Sequence, residues 1–338
     1  MSALPDALTT IGTVYRVADN SLLVEASDPW AAEIVQKLFA GWYLNPVERG
    51  EDLPGPVVAI STTAFPPPIP RHWESFDIAG GGICFTNGLA SYIDIEGSVI
   101  AVGLPGHATV EVWTNGPLEL QSAALTRVVT YALSAALRRC GLFELHSGAV
   151  ANPETGAGVL IIGPSGSGKS TLTVQLAASG WPFLTDDVLA LSDRGTVVQA
   201  WPLRRCFAIT ATTFKSSGLL TELAPLDYGG ARTVDKKQFM PQDVFEVKFK
   251  ENCIPRTLFF SQVTEVAETQ VTALSPGETM TRLIRMNPWS SYDRSTAARH
   301  LTVLAALVKQ AKAYSLSAGT DLLDPETAAK LIANYTTS

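Results

Sequence analysis

One run of eight residues, Gly163-Pro-Ser-Gly-Ser-Gly-Lys-Ser170, constrains this chain more than any other stretch. It fits the pattern G-x-x-x-x-G-K-[ST], follows the short apolar segment Gly158–Ile162 and opens a helix-forming stretch, Ser170–Ser179. A strand that runs into a glycine loop and then a helix, in a chain that goes on alternating the two, argues an α/β layer structure. The glycines let successive backbone N–H groups turn inward as an anion cradle, and the positive end of the following helix adds to that field. Lys169 is then placed to reach the β and γ phosphates of a nucleoside triphosphate, and the Ser170 hydroxyl to ligate Mg²⁺.

Upstream of this loop the pattern is different. Thr13–Ala18 and Leu22–Ala26 read as strands around an Asp19-Asn20 turn, and Asp28-Pro29 as the cap of a helix. Val57–Ser61, Ile83–Thr86, Ser91–Ile95, Val99–Val102 and Thr109–Thr114 read as further strands, the last four at hairpin-like intervals. Phe65–Pro70 is an irregular connection, because its prolines lack the N–H and fix φ. Asn115-Gly116-Pro117 punctuates the chain, so we expect an N-terminal, mostly-β α+β domain over 1–116 and a P-loop domain over 117–338. The second opens with a long helix over Leu118–Cys140, basic in its last turn and followed by Gly141. Later strands are expected at Phe183–Thr185, Val188–Ser192, Thr196–Trp201, Val244–Val247 and Thr257–Val263. A helix follows over Arg294–Tyr314, then a terminal strand at Ala313–Ser317 and a closing helix at Pro325–Asn334.

Composition excludes several function classes. With 338 residues and a formal net charge of −7, the chain has no global basic footprint for nucleic acid. No apolar stretch approaches the roughly 20 residues that span a bilayer, and the N-terminus lacks the features of a signal peptide, so a cytoplasmic protein without membrane contact is expected. Cys84, Cys140, Cys206 and Cys253 are isolated from one another and form neither a zinc pattern nor a disulfide framework.

Asp186-Asp187 ends the strand after the loop helix, 17 residues beyond Lys169, so both carboxylates emerge beside the phosphate loop. There one holds Mg²⁺ and the other orients and deprotonates an attacking hydroxyl. Adjacent strand residues point to opposite faces, so both serve only if the chain turns there. His146 precedes the loop strand in Leu145-His-Ser-Gly-Ala-Val150, where pairing with that strand brings it towards the γ-phosphate or the metal. Weaker candidates are Arg204 and Arg205, as cations for substrate or transition-state charge, and the basic stretch Tyr228–Lys237, as a lid carrying Lys237. Trp289–Arg294 is a candidate wall for an acceptor, or a helix start near Asp293.

Taken together, Leu145–Val150, Gly158–Ser170 and Phe183–Leu191 resemble the catalytic core of the HPr kinase/phosphorylase family, whose fold is shared with ATP-dependent PEP carboxykinases. The resemblance implies transfer of the γ-phosphoryl of ATP to a serine hydroxyl. It implies a nucleotide set of Gly163, Ser165, Gly166, Ser167, Gly168, Lys169, Ser170 and Thr171, with Ser170 and Asp186 on Mg²⁺. Asp187 is favoured as the base, and His146 lies close to the transferred group. Thr171 stands where the family usually has Glu, and Leu203-Arg204-Arg205-Cys206 lacks the glycines of its second signature. The chain is closer to HPr-kinase-like proteins associated with peptide tailoring, so the expected acceptor is a hydroxyl of a peptide, a protein or a small metabolite, and a homo-oligomer stays open.

Two other readings compete. One is a nucleotide-binding sensor or peptide-delivery protein without turnover. The other is carboxykinase-like chemistry on a small carboxylic acid, which calls for Arg and Lys residues before the loop that Gly141–Gly158 does not supply.

Overall fold

Six helices and three sheets form among the residues that the computed structural model describes, which are 11–39, 44–47, 55–62, 65–78, 81–114, 123–195, 197–210, 236–289 and 293–336. They divide into two units. The first holds the described residues up to Cys140 together with Asp293–Ser295; the second begins at Gly141 and holds the rest.

In the first unit, β1 (Ile11–Val17) and β2 (Asn20–Ala26) form a hairpin, and Asp28 caps α1 (Pro29–Phe39) by accepting from the Ala31 N–H at 2.8 Å. The strands β3 (Asn45–Val47), β4 (Val57–Ser61), β5 (Glu74–Asp77), β6 (Ile83–Thr86), β7 (Ser91–Ile95), β8 (Ser98–Val102) and β9 (Val110–Trp113) complete a nine-stranded sheet. Its order is β3-β1-β2-β4-β9-β8-β7-β6-β5, with β2–β4 and β4–β9 parallel. The long helix α2 (Ala123–Arg139) packs on this sheet, burying Leu125, Val128, Val129, Ala132 and Leu133. Ile69 of the proline-rich run packs against Phe85, Tyr92, Val99, Ala101 and Trp113. That run therefore contributes an apolar side chain to the sheet's packing.

The second unit is built on β10 (Phe143–Ala151), β11 (Gly158–Ile162), α3 (Lys169–Ala178), β12 (Phe183–Thr185), β13 (Val188–Asp193) and β14 (Val198–Pro202). A two-stranded ribbon, β15 (Phe207–Thr210) with β16 (Lys236–Phe239), follows. Then come β17 (Pro255–Val263), β18 (Gln270–Ala273), α4 (Pro276–Met286), α5 (Arg294–Gln310), β19 (Lys312–Ala318) and α6 (Pro325–Ala333). The main sheet runs β14-β13-β10-β11-β17-β19-β18, with β11, β17 and β19 parallel and β12 alongside β10. Side chains alternate faces along β11. Val159 and Ile161 join Leu172, Val174 and Leu176 of α3 and Ile332 of α6. Leu160 and Ile162 join Leu283 of α4 and Leu304 and Leu307 of α5. Helices thus cover both faces, and the loop strand is buried along its whole length.

Two expectations are corrected, and one helix is added. Val244–Val247 is not a strand: a short turn over Pro241–Asp243 commits the Val244 and Phe245 N–H groups to the Pro241 carbonyl, at 3.0 and 3.2 Å. The helix from Arg294 ends at Gln310 because β19 begins at Lys312 to pair with β17. Helix α4 was not expected at all, although Ser275-Pro-Gly-Glu278 is a complete capping box. No helix among the described residues is long and apolar enough to cross a membrane.

Candidate functional site

The loop between β11 and α3 has the backbone its glycines allow. Gly168 sits at φ 86 as the N-cap of α3, and a Cβ there would lie 2.9 Å from Val263 Cγ2. Ser165 and Gly166 are exposed, Ser167 is buried, and Gly168, Lys169, Ser170 and Thr171 are half-buried at the start of the helix. Lys169 folds back over its own loop, its Nζ donating to the carbonyls of Gly163 at 2.7 Å and Pro164 at 2.9 Å. Ser167 is 6% exposed, and its hydroxyl is buried with no hydrogen-bond partner.

His146 comes to this loop through β10, an interior strand of the sheet. Ser147 is in register with Ile162, the last residue before the loop, while His146 is in register with Val188 on the other side. Gly148 allows α3 to approach closely, since a Cβ there would lie 2.0 Å from Thr173 Oγ1. His146, two residues away on the same face, stands where α3 begins. Two strand spacings separate β11 from β13, so roughly 10 Å lies between the start of the loop and the Asp187 backbone.

The two aspartates occupy a bend between β12 and β13, and both strands pair with β10, Thr185 opposite Ala149 and Val188 opposite His146. The two carboxylates have different surroundings. Asp186 is 1% exposed, and its Oδ2 accepts from the Ala208 N–H of β15 at 2.9 Å. Asp187 is more open, with a side chain 25% exposed; its Oδ1 lies 3.7 Å from His146 Nδ1 and its Oδ2 accepts from Arg204 Nη1 at 3.2 Å. His146 has a side chain 65% exposed; the neighbouring Asp187 holds its pKa above the usual imidazole value, against partial desolvation of the ring, with Glu144 adding to the rise and the Lys169 charge opposing it.

Arg205 turns to the Lys250 carbonyl at 3.0 Å and Glu251 at 3.1 Å, with its guanidinium over the Phe249 ring. Lys237 belongs to β16, in register with Ile209, while 228–235 of the expected lid and 290–292 lie outside the described residues. Asp293 belongs to the first unit, where it pairs with Arg138 and Arg139 at 3.0 Å. The contact between Arg204 and Asp187 carries no motif in the sequence; it arises because the Leu203 N–H bonds to the Val188 carbonyl at 3.1 Å and brings the chain back alongside the doublet.

These residues fit a triphosphate with Mg²⁺. The loop offers backbone N–H groups, a lysine and a buried hydroxyl with no partner, all suited to anionic oxygens. Oxygen donors suit Mg²⁺, and Ser170 and the Asp doublet supply them. Among the described residues no three or more His, Cys, Asp or Glu side chains converge as a metal cluster on their own. Asp186 has committed one oxygen to Ala208, so Asp187 is the more accessible carboxylate.

No protein-family model and no curated protein matches this chain. Among solved structures, the HPr(Ser) kinase/phosphatase from Coxiella burnetii aligns with 38% of this chain and 70% of its own, at 14% identity and a TM-score of 0.25. A likeness of that extent carries no weight for the site, whose chemistry rests on its own residues.

Proposed function

We propose that this chain is a Mg²⁺-ATP-dependent kinase that transfers the γ-phosphoryl group to a serine- or threonine-type hydroxyl of a peptide, a protein or a small metabolite. One juxtaposition carries the reading: a lysine-bearing glycine loop opens α3, and one strand beyond His146 stands Asp187, flanked by that histidine and by Arg204. Phosphoryl transfer asks little covalent chemistry of a protein and a great deal of positioning and charge neutralisation. The loop amides and Lys169 grip the phosphates. Ser170 and Asp186 would hold Mg²⁺, which would supply neutralisation of phosphate charge. Asp187 takes the proton of the acceptor hydroxyl, and Arg204 and His146 fix its carboxylate in place. The three sequence segments that resemble HPr kinases are the same ones that meet here, which supports a hydroxyl acceptor. On this reading the catalytic part is the P-loop domain of the HPr kinase type.

A second reading is favoured by one observation. Asp186 is buried against Ala208 and Asp187 is ion-paired to Arg204, an arrangement that also suits a protein binding nucleotide without transferring its phosphate. Calorimetry with Mg-ATP, together with transfer from [γ-³²P]ATP to a panel of serine and threonine peptides and hydroxylated metabolites, separates the two. The kinase reading expects micromolar binding and labelled acceptor, both lost in Lys169→Ala. Binding with no label across the panel selects the second reading, and absence of binding rejects both.

A further inference from the structure

The phosphate loop is held in shape by a residue about a hundred positions later in the chain. Ser261, 4% exposed, lies in β17, the parallel neighbour of β11, one residue beyond the Phe260 that is in register with Ile162. Its Oγ donates to the Ser167 carbonyl at 2.6 Å. We propose that Ser261 is a positioning residue for nucleotide binding, an inference that rests on the reading of Gly163–Ser170 as a triphosphate cradle.

The physical argument concerns a single peptide plane. A trans peptide is flat, with its C=O and N–H on opposite sides. Fixing the Ser167 carbonyl towards Ser261 therefore turns the Gly168 N–H the opposite way. The plane between Ser167 and Gly168 is otherwise easily flipped, because Gly168 is a glycine at φ 86 and tolerates either sign of φ. A flipped plane would carry a carbonyl oxygen where a phosphate needs a donor, replacing attraction with repulsion. The second wall of this cradle comes from the same strand: Val263 stands so close to Gly168 that a Cβ there would lie 2.9 Å from its Cγ2. The residue whose carbonyl is pinned also carries a buried hydroxyl with no partner, so its backbone, not its side chain, is what ties the loop to β17.

The test uses the full chain and Mg-ATP as the probe. Wild type, Ser261→Ala and Ser261→Thr are compared by titration calorimetry, with thermal melts in the absence of nucleotide. Ser261→Ala is expected to bind Mg-ATP about five- to tenfold more weakly, the range for one lost hydrogen bond. Ser261→Thr keeps the hydroxyl and is expected to stay within about twofold of wild type. Wild-type affinity in Ser261→Ala overturns the proposal, and so does equal weakening in the alanine and threonine variants, which would make the effect one of packing. If wild type itself binds no Mg-ATP, the nucleotide reading fails first and this inference falls with it.

Discussion

Arg204 and Asp187 are joined by a 3.2 Å contact from Nη1 to Oδ2, with Arg204 largely buried and Asp187 partly open. The guanidinium occupies one carboxylate oxygen and leaves the other to His146 and the loop side. Asp187→Asn preserves the shape of the group while removing its capacity to accept a proton. It is expected to bind Mg-ATP within about threefold of wild type and to lose transfer by about 100-fold or more, the scale of a general base. Radiolabel transfer to whichever acceptor the panel identifies, measured beside calorimetry, checks both halves. Transfer at the wild-type rate in this variant would remove Asp187 from the base role.

The close approach of α3 to β10 at Gly148 is a packing constraint with a specific escape. Gly148→Ala drives a methyl into Thr173 Oγ1, so either the helix or the strand must shift, at a cost of about 2 kcal/mol. Removing the obstruction with Thr173→Ala in the same chain is expected to recover more than half of that loss. Urea unfolding of both single variants and the double variant gives the coupling directly. Simple addition of the two costs would show that the Gly148–Thr173 contact is not the one that matters.

His146 offers a pH readout that needs no substrate. Asp187 raises its pKa, so its charged form is favoured in the folded chain. The stability it adds is fully present below the ordinary imidazole value of about 6.5 and is lost as pH rises through the higher folded value. Histidine proton resonances, with His146 assigned by its disappearance in His146→Asn, should titrate above the unperturbed value. The same resonances in Asp187→Asn should titrate lower, because that variant removes the leading cause. An unchanged midpoint would mean that the 3.7 Å pair has no electrostatic content.

How much of this was legible in the sequence depends on how local each feature is. The run Gly158–Ser170 could be read directly, because five apolar residues, a glycine loop and a helix start follow one another without reference to the rest of the chain. Asp28 was equally readable as a cap, since its bond to the Ala31 N–H spans three residues. Val244–Val247 misled, because β-branched residues make a strand only when their N–H groups are available for pairing, and here the Pro241 carbonyl takes those of Val244 and Phe245. Hairpin-like spacing in the first unit gave no sign that β4 would pair in parallel with both β2 and β9. At the site, the positions of Asp187 and His146 followed from order and spacing. Arg204 and Ser261 did not, because they reach the group through strand pairings that no local pattern encodes.

In the first unit, Asp293 accepts from Arg138 Nε and Arg139 Nη1, both at 3.0 Å, in nearly complete burial. Burial alone would raise its pKa, but the two guanidinium groups outweigh burial and the Asp293 value is lowered. The carboxylate therefore contributes stability at any pH above the ordinary aspartate value of about 3.9, and that contribution drains away as pH falls through the lower folded value. Asp293→Asn keeps the shape but leaves two arginines without their counter-charge, which at pH 7 is expected to cost about 3 kcal/mol. Wild type and variant, unfolded in urea at a series of pH values, should differ by a constant amount from pH 7 down to about 5. The gap should narrow below about 4, where the wild type loses what the variant already lacks. A gap that stays open down to pH 3 would mean that the charge on Asp293 plays no part in holding this unit together.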